Sequence, residues 1–203
     1  MAFLDPVTLH GDRVVLEPLS HDHHDGLVEA ARDGRLWELW YTSVPTPEGM
    51  RAEIDRRLGL QAAGEMLPFT ARRRSDGRVV GMTTYLHVDA GAPRVEIGST
   101  WTARSAQRTG LNRESKLLLL GHAFDVLGCV VVEFRTHWHN QQSRTAIARL
   151  GARQDGVLRS HQRMPDGSLR DTVVFSVVAA EWPAVRQGLL HGLRDPAADA
   201  APA

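Results

Sequence analysis

The ten residues Gln107-Arg108-Thr109-Gly110-Leu111-Asn112-Arg113-Glu114-Ser115-Lys116 gather three cations, Arg108, Arg113 and Lys116, where a glycine-containing turn opens a helix. Positive side chains at a helix N-terminus oppose the macrodipole, so their accumulation there points to a bound anion that offsets the cost. Amides in the turn around Gly110 would complete an anion cradle. A solvated helix start in an arginine-rich chain is the competing reading of the same residues. The spacing is not that of a Walker loop, which needs Gly-Lys-Ser/Thr, and it is not GxGxxG.

Other side chains could contribute chemistry. Glu96, between Val95 and Ile97, can accept a proton beside a cleft or simply face solvent. Ser143 precedes Ile147 by one helical turn and Leu150 by two, which turns its hydroxyl to the inner face of a helix. His137 and His139 flank Trp138 at a strand end, where they can line a binding site, serve as an alternative base or simply pack. Trp37, Trp40 and Tyr41 recur at a spacing more common in cores than in ligand cages. In His21-Asp22-His23-His24-Asp25 neighbouring side chains diverge at a helix start, so a solvated cap is expected and no metal site. Cys129 sits in an apolar run and reads as a small buried hydrophobe, not a nucleophile.

The elements that must position these groups alternate strands and helices. Strands are predicted over 13–18, 69–73, 79–88, 94–102, 130–136, 157–164 and 169–178, with Asp76-Gly77 and Pro165-Asp166-Gly167 as hairpin turns. Helices are predicted over 22–32 and 48–63, after Gly110 with Leu117, Leu120, Phe124 and Leu127 on its apolar stripe, and after the capping residue Asn140. The strand-helix-strand order around the Gly110 helix implies one parallel pair in an α/β chain.

With 203 residues, 24 Lys+Arg against 24 Asp+Glu and no formal net charge, the chain lacks the field that would favour nucleic acid. Apolar runs such as Leu117–Leu120 fall far short of the ~20 residues that span a bilayer. A single cysteine and the lack of a charged-plus-apolar leader give a cytoplasmic expectation. One domain is expected over 1–185, followed by an amphipathic piece and a disordered tail over 186–203. Homodimerisation is compatible with the sequence, although no residue specifies an interface.

Gln107 to Asn112 is similar to the Q/R-x-x-G-x-G/A acetyl-CoA loop of the GCN5-related N-acetyltransferase (GNAT) superfamily, with Asn112 replacing the last small residue. NRESKLLLLGHAF, the N-x-x-S-x-x-A-I-x-R-L-G-A run at Asn140–Ala152, RDTVVFS and Glu181-Trp182-Pro183 resemble its ribosomal-protein N-terminal (RimJ/RimL-type) branch. The resemblance implies a mixed, mostly antiparallel sheet of about seven strands with about four helices, splayed at an acetyl-CoA cleft. It also implies that the amides from Gln107 to Asn112, reinforced by Arg108, Arg113 and Lys116, hold the pyrophosphate. Thr109, Gly110 and Leu111 belong to that loop. Trp101 and Thr102 would face the pantetheine, with Asn140 and Ser143 opposite.

Amine acetylation needs a proton acceptor, an oxyanion donor and a proton source for the departing thiolate. Glu96 is the candidate base and Ser143 the candidate acid, since Ile147 stands where many relatives carry a tyrosine. Trp37, Tyr41, Glu96 and His137 are the candidate acceptor-site residues. The expected activity is acetyl transfer from acetyl-CoA, without metal, to a protein N-terminus or a small amine. A non-catalytic acyl-CoA-binding module on the same fold is the alternative.

Overall fold

The computed structural model describes residues 3–194. Eight strands form one open sheet: β1 (Leu9–His10), β2 (Val14–Pro18), β3 (Met66–Arg73), β4 (Val79–Asp89), β5 (Arg94–Thr102), β6 (Val131–His137), β7 (Arg153–Arg163) and β8 (Leu169–Val178). Their order across the sheet is β1-β2-β3-β4-β5-β6-β8-β7. The helices are α1 (His24–Arg32), α2 (Met50–Ala62), α3 (Leu111–Gly121), α4 (Gln141–Arg149) and α5 (Trp182–Arg194). The sheet has one strand more than expected because β1, with two residues, is too short to show an alternating pattern.

A fifth helix, α5, spans the boundary expected at residue 185 and includes the amphipathic piece expected after it. α5 buries Trp182, Val185 and Leu189, and the Trp182 ring stacks on Phe124 at 5.5 Å while its Nε1 donates to Asp125 Oδ1 at 2.9 Å. The packed body therefore continues to Arg194; the tail expected over 195–203 lies outside the described residues.

One feature of the sheet creates the site. β5 and β6 are parallel neighbours only from Arg94↔Val131 to Glu96↔Glu133. Beyond that point β5 follows β4 to Thr102 and β6 follows β8 to His137, so the facing edges of β5 and β6 separate and stay unpaired. Unpaired strand edges offer donors and acceptors to an extended ligand.

α3 covers one sheet face with Leu111, Ser115, Lys116, Leu119 and Leu120 buried, followed by Ala123 in a wide turn over His122–Val126. The expected stripe of Leu117, Leu120, Phe124 and Leu127 is rotated, because four consecutive leucines carry no helical phase. That rotation places Lys116 inward.

Candidate active site

The loop between β5 and α3 is built by two left-handed residues, Arg108 (φ 58°) and Gly110 (φ 83°), the second being the N-cap of α3. Gly110 adopts this conformation without the penalty a side chain would bring. Among the described residues no protein acceptor takes the amides of Arg108, Thr109, Gly110, Leu111 or Asn112. Five successive free N–H groups at the positive end of an 11-residue helix form an anion cradle, and a diphosphate fits it. Gln107 is the exception in the expected set. Its amide already donates to Arg104 O at 3.2 Å, and its side chain donates to Thr102 O at 2.9 Å and accepts from Gln142 Nε2 at 3.3 Å. It ties the end of β5 to α4 across the cleft mouth.

Of the three expected cations only Arg108 is exposed on the loop. Arg113 lies against α5, where a Cβ on Gly192 would come within 2.6 Å of its Cζ. Lys116 is buried, with Nζ donating to Thr100 Oγ1 at 2.9 Å and Thr83 Oγ1 at 3.2 Å. Lys116 therefore points away from the expected cradle, and Arg113 lies half-buried beside α5. Leu111 is likewise buried in the core and contributes through its backbone.

Glu114, which the sequence reading passed over, anchors the same helix. Its buried carboxylate accepts the amides of Asp12 (3.0 Å), Arg13 (2.7 Å) and Val14 (2.8 Å), so the start of β2 hangs on the first turn of α3. An acid in the first turn of a helix was the available signal.

Along β5 the register to β4 shifts between Met82↔Trp101 and Thr84↔Gly98, which leaves Ser99 and Thr100 in a bulge with Ser99 at φ 47°. A bulge re-aims backbone groups and stores local strain, and it occurs here on the wall of the cleft. Gly81 permits it, since a Cβ there would lie 2.1 Å from Trp101 O. The Trp101 ring is buried, so this residue can meet a ligand only through its backbone. Lys116, Thr83 and Thr100 stitch the bulge to α3, the two hydroxyls being 2.8 Å apart.

Burial pushes the Lys116 ammonium down to about 7 from its ordinary value of 10.5. Between those values the unfolded chain binds more protons than the folded one, so stability rises with pH through that window. Lys116→Met leaves Thr83 and Thr100 bonded to each other. It is expected to stabilise the fold most below pH 7 and progressively less toward pH 10, as followed by urea unfolding. An equal gain at every pH would contradict the assignment of a buried ammonium.

The opposite sheet face, at the apex of the split, carries Glu96. It is buried, not solvent-facing, with Oε2 at 2.8 Å from His87 Nδ1 and 3.3 Å from Arg135 Nε. His87 is itself left-handed (φ 49°) where the β4–β5 register shifts again, and its ring is largely exposed. His87 therefore offers a path from a buried carboxylate to water. Arg135 Nη2 also donates to Glu133 Oε2 at 3.0 Å, and Glu133 lies 3.4 Å from Arg94.

His137 lies on the same face as Arg135. Its Nδ1 accepts the His139 amide at 3.0 Å, and burial together with Arg170 holds its pKa below the usual value. When the ring is neutral, an accepting Nδ1 leaves its proton on Nε2. Trp40 packs on His137 (5.3 Å), His139 (5.5 Å) and Tyr41 (5.6 Å). Tyr41 thus reaches the cluster through Trp40, whereas Trp37 packs partly buried against the core. Across the split Asn140 Oδ1 caps α4 by accepting the Ser143 amide at 2.9 Å, and Ser143 is half-buried.

The remaining candidates are structural. Cys129 is buried and its thiol is pushed up to about 11. His21, His23 and His24 turn to Asp55, Glu17 and Asp25 respectively. No metal-binding group of His, Cys, Asp and Glu is found among the described residues, and no helix there is long and apolar enough to cross a membrane.

This arrangement has close counterparts. The acetyltransferase (GNAT) domain family matches residues 13–153. A GCN5-related N-acetyltransferase from Brucella melitensis is 31% identical, with a TM-score of 0.81 over 94% of this chain and 86% of that one. Mycobacterium smegmatis RimJ in complex with CoA-disulfide is 24% identical (TM-score 0.78, 92% and 95% covered). Ribosomal-protein-S5-alanine acetyltransferase from Vibrio fischeri is 14% identical (TM-score 0.70, 87% and 98% covered). The last two show a likeness of fold. No protein of curated function matches the sequence. The split sheet, the amide cradle on α3 and the family match make this chain a member of the GNAT family and an acyl-CoA-dependent acetyltransferase.

Proposed function

We propose that the protein transfers the acetyl group of acetyl-CoA to a primary amine by direct attack in a ternary complex. The observation that carries this reading is the row of five unpartnered amides from Arg108 to Asn112 beside the split between β5 and β6. Acetyl-CoA, when bound, supplies the acyl thioester. The chain's residues then divide the work. The cradle amides hold the diphosphate, and the bare edge of β5 beyond Glu96 pairs with the extended pantetheine. Bulge amides at Ser99 and Thr100 would be the donors to an acyl oxygen as it gains negative charge, and preorganised donors there would lower the barrier.

An ammonium has no lone pair, so Glu96 takes its proton, directly or through water, and His87 passes it to solvent. Ser143 supplies a proton to the departing sulfur from the α4 side. Cys129, buried and poorly ionised, forms no acyl-enzyme. Ser143→Ala is expected to lower kcat about 10-fold or more with little effect on acetyl-CoA affinity, measured by thiol release and by calorimetry. Unchanged turnover would remove Ser143 as the acid.

The reading as a whole is tested by confirming that acetyl-CoA raises the melting temperature and then following thiol release with a panel of amines. Amine-dependent release is expected. Stabilisation by acetyl-CoA without release under any amine would leave a binding module instead.

A further inference from the structure

The acceptor side of the cleft holds one more cation than the transfer of an acetyl group requires. Glu133, Arg135 and His137 alternate onto one face of β6, and the register His137↔Thr172 puts Thr172, and with it Arg170, on that same face of β8. Two carboxylates, Glu96 and Glu133, meet three guanidinium groups there. Glu133 is shared by Arg135 and Arg94, and Glu96 by Arg135 and His87. Arg170 has no hydrogen-bonded acceptor among the described residues, and its Nε is shielded from water.

We propose that the acceptor bears a carboxylate a few bonds from its amine, and that Arg170 receives that carboxylate while Glu96 faces the amine. This rests on the amine-acetyltransferase reading above and names its substrate class. A buried guanidinium N–H without a partner is costly, and a bound carboxylate is the group whose planar pair of oxygens matches the guanidinium fork. Arg170 is near enough to Glu96 and His137 for their charges to act on one another. The same three residues can therefore meet one small molecule. His137 Nε2–H adds a second donor, and the Trp40 ring forms a wall beside it. A polyamine would bring its second cation against Arg170 and Arg135, a repulsive placement.

The carboxylate can belong to a free amino acid or to an acidic first residue of a peptide. Two matched pairs separate these sources: amino acids against their amides, and tripeptide amides beginning with Asp against those beginning with Asn. Each pair is assayed for kcat/KM by thiol release and for binding to the CoA-loaded protein by calorimetry. The wild type should favour the carboxylate member of at least one pair about 10-fold or more. Arg170→Met should bring that ratio close to one, and Arg170→Lys should restore part of it. Melting temperatures check that both variants fold. A ratio near one in both wild-type pairs, or a ratio that Arg170→Met leaves intact, would overturn the assignment. Arg170-dependent binding without turnover in any arm would instead sink the transferase reading while supporting the site.

Discussion

Glu96→Gln is expected to lower kcat by about 100-fold or more at neutral pH, since general-base assistance typically contributes 10²–10⁴-fold. The glutamine keeps the size of the side chain and can still meet His87 and Arg135, so the fold around the split between β5 and β6 should persist. What disappears is the capacity to take the proton of an ammonium. Acetyl-CoA affinity should stay near the wild-type value, because the amides from Arg108 to Asn112 are untouched. The defect should also shrink as pH rises. Free amine becomes abundant near the pKa of the acceptor, about 8 for a peptide N-terminus and about 10 for an alkylamine, and the enzyme then needs its base less. A variant with full turnover at pH 7 would place the base elsewhere.

Glu114→Ala is expected to cost about 3 kcal/mol or more of folding stability. The amides of Asp12, Arg13 and Val14 lose their common acceptor, and hydrogen bonds to a charged group are worth about 1.5–3 kcal/mol each. In a chain of this size 1 kcal/mol shifts the melting temperature by about 2–4 °C, so a fall near 10 °C is anticipated by calorimetry. Glu114→Gln, which retains one carbonyl acceptor, should fall between the two. A melting temperature unchanged by the alanine would show that β2 does not depend on this anchor.

The element order was legible because its signals are local. Asp76-Gly77 and Asp166-Gly167 fixed two hairpins, and RVEIGSTWT and LRDTVVFSVV became β5 and β8 at the expected bounds. The anion loop was legible for the same reason, since Gly110 and the start of an amphipathic helix are adjacent in the chain. Lys116 is expected at the pyrophosphate because the leucines after it carry no phase; only the tertiary packing of α3 shows that it turns inward toward Thr83 and Thr100. The surroundings of Glu96 lay beyond reach for a different reason. His87, Arg135 and Arg170 arrive from three separate strands, and their meeting depends on register shifts that no local pattern encodes. Trp40 rather than Trp37 covers His137, because the segment before α2 leaves the regular period that the spacing assumed.

The claim that orders all of this is that the amides opening α3 grip a diphosphate. Proton–nitrogen correlation spectra of the labelled 22.4 kDa chain, recorded through a titration with CoA, test it directly. The account predicts that the backbone resonances of Arg108 to Asn112 undergo the largest downfield shifts, and that pantetheine, which lacks the diphosphate, leaves them in place. Five resonances that stay fixed while CoA saturates the protein, or that move equally with pantetheine, would contradict it.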